Sequence, residues 1–390
     1  MSEIAEFYRQ WTAGRPSEVV TLEEPIPLEA LHTPALVIDL NVFEANLDRM
    51  QNHLNDAGIR LRPHTKMHKC PVIARKQIAK GAEGVCAAKL GEAEVMCAAG
   101  VDDVLITSPL ASIDKLERFI ALRSEYPKVK LVVDHLDTAH YLNRLAAVDG
   151  CIVDVYIDID PAMGRTGIKA GRPVLDLATQ VLDASNLRLS GLQMYAGHCM
   201  HIEGYSARAQ RYREVMASGQ ETKDLLDDAG IDVPIFSGGG TGTFDIEPDQ
   251  GLINELQAGS YAFMDIEYRD IGGQHSDNFD DFGVSLFLLV TAISQPNSRL
   301  ITVDAGFKSL ASDKMLPEFR EIEGVVYHWG GDEHGIVNLR NPSKMIELGD
   351  KLEVLTPHCD PTVNLHDFYF PYRDGMVSEI WPITARGLSQ

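Results

Sequence analysis

From about residue 33 onward, short β-rich runs alternate with stretches of helical hydrophobic period. That rhythm constrains the chain more than any single motif, because it predicts parallel strands joined by helices. The strand candidates are residues 35–40 (ALVIDL), 59–64 (IRLRPH), 84–88 (GVCAA), 103–108 (DVLITS), 130–134 (KLVVD), 153–159 (VDVYIDI), 189–195 (LSGLQMY) and 234–240 (PIFSGGG). Eight strands is the count of a closed barrel, although periodicity alone does not separate a barrel from an open doubly wound sheet. Helical stretches fall at residues 40–57, 89–99, 173–184 and 207–228, the last with Ser206 as its cap. After about Phe282 the pattern changes to alternating strands, which predicts a separate, mostly antiparallel β domain. Within it, Tyr372-Arg373-Asp374-Gly375 puts Asp-Gly between strand-like runs, a hairpin signal. The expected organisation is α/β: a (β/α)8 TIM-like barrel over residues 30–270, with residues 1–29 and 271–390 forming the β domain.

Charge and cysteine usage narrow the class of function. Across 390 residues, 57 acidic against 35 basic side chains give a net charge of −22. That balance repels phosphate backbones and anionic membrane surfaces, so neither nucleic acid nor membrane is the expected partner. An anionic ligand needs a local device. Cys70, Cys86, Cys97, Cys151, Cys199 and Cys359 form no CxxC pair and no framework spacing, as expected of reduced thiols. With no signal-like N-terminus and no apolar run long enough to span a bilayer, the expected location is cytoplasmic.

The densest group of ionisable side chains is Arg62-Pro63-His64-Thr65-Lys66-Met67-His68-Lys69, at the end of the second strand candidate. Active sites of βα barrels lie at such C-terminal strand ends. Cationic neighbours would lower the pKa of Lys66 and free its amine to form a Schiff base with a carbonyl; the bland alternative is a solvated basic turn. Ser237-Gly238-Gly239-Gly240-Thr241-Gly242-Thr243 follows another strand candidate, and its glycines let backbone amides converge on an anion. It lacks the GK[ST] ending of a nucleotide P-loop and better fits a phosphate cup for a small cofactor, which the Gly259-Ser260-Tyr261 turn would complete. Arg165 is a candidate donor to an aromatic nitrogen or oxygen of that cofactor. Tyr195, His198 and His201 end a further strand, and either imidazole is a candidate general base, against the commoner structural use of histidine.

In the β domain, His358 and Asp360 stand two residues apart, so on an extended chain they share one face and reach one divalent metal. Two protein ligands leave positions open for water and substrate. Nitrogen and oxygen donors admit Mn²⁺, Mg²⁺, Zn²⁺ or Co²⁺. Asp332-Glu333-His334 would support that metal from outside.

Taken together, TPALVIDL, RPHTKMHK, GRTG, SGGGTGT and HCDPTVNLHD resemble one family, the D-threonine aldolases and D-serine dehydratases, from about residue 30 to the C-terminus. The resemblance implies an alanine-racemase-like barrel of fold type III with pyridoxal 5′-phosphate held by Lys66. It implies Arg165 facing the pyridine ring, Tyr195 beside the cofactor, and Gly240, Thr241, Gly259, Ser260 and Tyr261 around its phosphate. It further implies a divalent metal on His358 and Asp360, His201 as candidate base, and a homodimer. Dehydratases of the family resemble HxC with zinc and aldolases HxD, so Asp360 favours the aldolase branch, with Mn²⁺ or Mg²⁺ as the first expectation. The HCDPT, YAFMD and GHCM stretches also resemble 3-hydroxy-D-aspartate aldolases. The expected reaction is retro-aldol cleavage of a small D-3-hydroxy amino acid to glycine and an aldehyde. Alternatives are β-elimination from D-serine or 3-hydroxyaspartate, racemisation, and a barrel that carries the cofactor without turnover.

Overall fold

The computed structural model describes Ile4, Phe7, residues 18–313 and residues 315–390. Local signals set the first long helix, Leu40–Ala57: Asp39 caps it by accepting from the backbone N–H groups of Asn41 and Val42. Phe43, Leu47, Met50 and Leu54 recur at helical spacing and form its buried stripe. The next helices lie at Leu90–Ala98, Arg172–Asp183 and Tyr205–Asp228, where the sequence places them. Ser206 is not the cap of the last one. Gly204 occupies that position, and Ser206 already lies inside the helix.

Eight parallel strands form a ring in chain order: Arg60–Leu61, Val85–Ala87, Val104–Ile106, Lys130–Val133, Val153–Asp160, Leu187–Met194, Phe236–Gly238 and Glu255–Leu256. A parallel bridge between His64 and Cys86 joins the two ends of that path, so the sheet closes. The first strand candidate is corrected here. Ala35–Asp39 stands outside the barrel, in the second sheet between Leu286–Asn297 and Phe368–Arg373. The eighth barrel strand is instead Glu255–Leu256, too short to carry any periodicity. Ala35–Asp39 reads as a barrel strand because it is buried on both faces, which is also the fate of a central strand in the other sheet.

The interior of the ring is divided. Cys86, Leu105, Val132 and Tyr156, from four successive strands, form one apolar cluster with Ile235. The other arc carries buried polar side chains linked in series. Arg62 Nε donates to Glu255 (2.9 Å), Ser237 Oγ to Glu255 (2.8 Å), Gln257 Nε2 to Ser237 Oγ (2.9 Å) and to Gln193 Oε1 (3.0 Å), and Gln193 Nε2 to Asp158 (2.8 Å). Leaving one such buried group unpaired costs about 1–3 kcal/mol, so the series holds as a unit and fixes which way each amide points.

The second sheet is mixed and mostly antiparallel, its one parallel pair among the described residues being Ala35–Asp39 with Phe368–Arg373. The expected hairpin is present: Arg373 pairs with Met376 across Asp374 (φ 51°) and Gly375 (φ 75°), both left-handed as a two-residue turn of this kind requires. Val20–Pro27 pairs with Met376–Pro382, and Phe7 packs edge-on against Phe368 at 5.3 Å. The rest of the expected N-terminal β segment before residue 18 lies outside the described residues. No helix among the described residues is long and apolar enough to cross a membrane.

Candidate active site

The basic segment after Arg60–Leu61 sorts its side chains alternately. Arg62 turns into the barrel, pairing with Glu255 and Asp103. Thr65 donates to the Cys86 carbonyl at 2.9 Å, which pins the turn, and Lys69 pairs with buried Glu92. His68 is fully buried, and burial pushes its imidazole down to about 3. Burial and the Lys66 charge do the same to His64, also about 3. Neutral His64 accepts from the Lys66 N–H at Nδ1, and its Nε2 lies 3.1 Å from Thr107 Oγ1. Lys66 itself is the one side chain of the segment with a carboxylate across the cleft, its Nζ 2.8 Å from Asp360 Oδ1.

That contact overturns the expectation of a lysine activated by cationic neighbours. Asp360 raises the Lys66 ammonium above its ordinary range, because its basic neighbours are either neutral or already paired. Burial alone would raise the Asp360 carboxyl, but Lys66 holds it below the usual carboxylate value.

Lys66 opens into a cavity of about 430 Å³ at the C-terminal mouth of the barrel, lined also by Arg165, Tyr195, Gly240, Thr241, Gly259 and Ser260. The glycine-rich turn is tight: a Cβ on Gly242 would stand 2.2 Å from the Met200 carbonyl oxygen. Thr241 Oγ1 accepts from the Tyr261 N–H at 3.0 Å, which joins this turn to the Gly259 turn. Tyr261 stands behind the cup; its buried hydroxyl accepts from Gln77 at 3.0 Å, and it is absent from the cavity lining. The Arg165 guanidinium lies 5.2 Å from the centre of the Tyr195 ring. His64, Lys89, Thr107, Gln193, Gln257 and Tyr268 are also among the lining residues.

The other side of the cleft is built around Asp265. Its two carboxylate oxygens accept from the N–H groups of Tyr268 (2.9 Å) and Cys359 (2.8 Å), tying Ile266–Arg269 to Cys359–Val363. Burial pushes its carboxyl up to about 6. His358 is extended, but residues Cys359–Val363 are helical, so the two-residue spacing of His358 and Asp360 is not that of a strand. The helical turn still brings Asp360 to Lys66, while buried Cys359 faces the Met264 carbonyl at 3.2 Å. His201 Nδ1 is 3.4 Å from Glu267 Oε1, and His358 Nε2 is 4.0 Å from Glu267 Oε2. His198 is exposed on its turn. Asp332 and Glu333 face Lys308 with exposed side chains, and the carboxylate against His358 is Asp313, at 2.9 Å.

Among the described residues no group of three or more His, Cys, Asp or Glu side chains is gathered to hold a metal. His358 and Asp360 offer two donors, nitrogen and oxygen, which suits a borderline or hard divalent cation with open positions. The cup of backbone groups, the amine and the guanidinium around one cavity suit a phosphorylated aromatic aldehyde. Sequence reasoning named His64 only as a neighbour of Lys66 and missed Lys89, Thr107, Gln193, Gln257, Asp265, Glu267 and Asp313. Only the alternation of Gln193 on its strand hinted at an inward polar face.

A closed βα ring with its lysine and glycine-rich turns at the strand ends defines a cofactor-barrel protein of the alanine racemase kind. Residues 38–267 match the family of the alanine racemase N-terminal domain, and residues 285–372 match a serine dehydratase domain. The chain belongs to this family, in the branch that joins such a barrel to such a second domain. It is 38% identical to the D-threonine aldolase of Arthrobacter sp., over 93% of this chain and 95% of that one. It is 34% identical to the 3-hydroxy-D-aspartate aldolase of Paracoccus denitrificans, over 92% of each. The crystal structure of D-threonine aldolase from Filomicrobium marinum superposes with a TM-score of 0.91 at 36% identity, covering 95% of this chain and all of that one.

Proposed function

We propose that the chain is a pyridoxal-phosphate- and metal-dependent aldolase that cleaves D-3-hydroxy amino acids to glycine and an aldehyde. The observation that carries this reading is the convergence of Lys66, the glycine cup and Asp360 on one cleft, with the amine 2.8 Å from the carboxylate. The similarity to two named aldolases supports it.

In this reading the barrel, from the helix Leu40–Ala57 to about residue 270, holds the cofactor, and the β unit, residues 271–390 with Val20–Pro27 and Ala35–Asp39, brings the metal. Lys66 would hold the cofactor's aldehyde carbon, and Gly240, Thr241, Gly259 and Ser260 would enclose its phosphate, with Tyr261 behind them. Arg165 would face the ring nitrogen and Tyr195 would lie beside the ring. When bound, pyridoxal phosphate supplies an electron sink for a bond broken at Cα, and a divalent cation lowers the pKa of the substrate's 3-hydroxyl. His201, whose Nδ1 lies 3.4 Å from Glu267 Oε1, is the candidate base that would take the proton of that hydroxyl. His358 and Asp360 carry the cation, Mn²⁺ or Mg²⁺ in preference to Zn²⁺ or Co²⁺. The substrate is a small molecule, and the working protein is a cytoplasmic homodimer.

Elimination is the second reading. Buried Cys359, directed at a backbone carbonyl, speaks for the oxygen ligand Asp360 and hence for the aldolase branch. Offering D-threonine, D-phenylserine and D-3-hydroxyaspartate, with and without added Mn²⁺, separates the readings. Glycine with an aldehyde is expected; ammonia with an oxo acid would move the chain to the dehydratases.

A further inference from the structure

Asp313 Oδ2 lies 2.9 Å from His358 Nδ1. A carboxylate only accepts, so Nδ1 carries the hydrogen and the lone pair of the neutral ring sits on Nε2. Nε2 is also the nitrogen near Glu267, the carboxylate that stands between the two imidazoles of the cleft. The loop bearing Asp313 is laced to the segment bearing His358. His366 Nε2 donates to the Ser309 carbonyl at 2.8 Å, the Ala311 N–H donates to Thr362 Oγ1 at 3.0 Å, and the Thr362 hydroxyl donates to the His358 carbonyl at 2.7 Å. The carboxylate, the imidazole and the backbone between them are therefore held as one block.

We propose that Asp313 is a positioning residue that fixes the tautomer and ring plane of His358, so that Nε2 is the nitrogen offered to a divalent cation shared with Asp360. The proposal rests on the reading of His358 and Asp360 as metal ligands. Partners of this kind orient ligating histidines and raise their basicity, and their loss weakens metal binding by about 10–100-fold.

Mn²⁺ titrations followed by electron paramagnetic resonance, on pyridoxal-phosphate-loaded protein, test it in four forms: unaltered, His358→Ala, Asp313→Ala and Asp313→Asn. His358→Ala is expected to abolish the tight site. Asp313→Ala is expected to weaken it by about 10–100-fold with unchanged cofactor absorbance and thermal midpoint. Asp313→Asn, which keeps an accepting oxygen, is expected to fall between Asp313→Ala and the unaltered protein. Unaltered affinity in Asp313→Ala, with loss in His358→Ala, would overturn the role of Asp313 alone. Equal Mn²⁺ binding in unaltered and His358→Ala protein would overturn the metal reading and this proposal with it.

Discussion

At the scale of single residues, the site works by sorting charges that are crowded in sequence. Lys66→Ala is expected to remove the visible absorbance of bound pyridoxal phosphate and lower cleavage by about 10³-fold or more, since both the anchor and the nucleophile are lost. His358→Ala is expected to keep that absorbance while losing about 10²-fold or more in cleavage, on the scale of removing one charge-stabilising group. Colour retained in the first variant, or lost in the second, would break the assignment of roles. The buried imidazoles give a second expectation. His68 sits at about 3 in the folded chain against about 6.5 unfolded. Between those values the unfolded chain binds a proton that the folded one does not. Stability from this group is therefore complete above about pH 6.5 and is lost as pH falls toward 3. Buried carboxyls such as Asp158, pushed up to about 6, act in the opposite direction, so the contrast must be made against a variant. His68→Gln is expected to lose less thermal midpoint than the unaltered protein between pH 7 and pH 5, measured by calorimetry.

At the scale of elements, turns matter more than the strands that feed them. Gly242→Ala would drive a methyl group to 2.2 Å from the Met200 carbonyl oxygen, so the cup has to shift. The expected result is cofactor affinity weakened by about 10-fold or more with a far-ultraviolet spectrum unchanged, since losing one well-placed phosphate contact is worth roughly 1.5 kcal/mol. Unaltered affinity would place the phosphate elsewhere. The helix Leu40–Ala57 and the Asp374-Gly375 hairpin were legible in sequence because cap, stripe and turn are local signals. Glu255–Leu256 was not, because two residues make no pattern, and Ala35–Asp39 was placed in the wrong sheet because burial on both faces looks alike in either. Among site residues, Lys66, Thr241 and Asp360 were legible from short motifs. The partners that set their charge state were not: Asp360 meets Lys66 across 294 positions, and Asp313 meets His358 across 45. Contacts at that separation leave no trace in spacing or periodicity.

For the whole molecule, the net charge of −22 sets the background against which the cleft works. Repulsion among surface carboxylates weakens the compact state and is screened by salt over about 10 Å at 0.1 M. Raising NaCl from 10 to 150 mM is expected to lift the thermal midpoint by about 1–2 °C, the shift roughly 1 kcal/mol gives in a chain of 390 residues. A midpoint that falls with salt would mean that ion pairs such as Arg62 with Glu255 outweigh the surface repulsion. Within that acidic body the barrel mouth gathers three cations, Lys66, Lys89 and Arg165, around one cavity, which is the local device an anionic cofactor needs.

On the proposed function, the contact between Lys66 and Asp360 would also impose an order of loading. Where Asp360 serves as a metal ligand, as proposed, the Lys66 ammonium sits on the oxygen a divalent cation would take, so in protein stripped of cofactor an incoming ion would have to evict it. Bound pyridoxal phosphate would engage the same amine and leave that oxygen to the ion. Mn²⁺ is therefore expected to bind the vitamin-loaded protein about tenfold more tightly than the stripped protein, the equivalent of one ion pair of roughly 1.4 kcal/mol. Identical affinities in the two forms would mean that the two guests arrive independently.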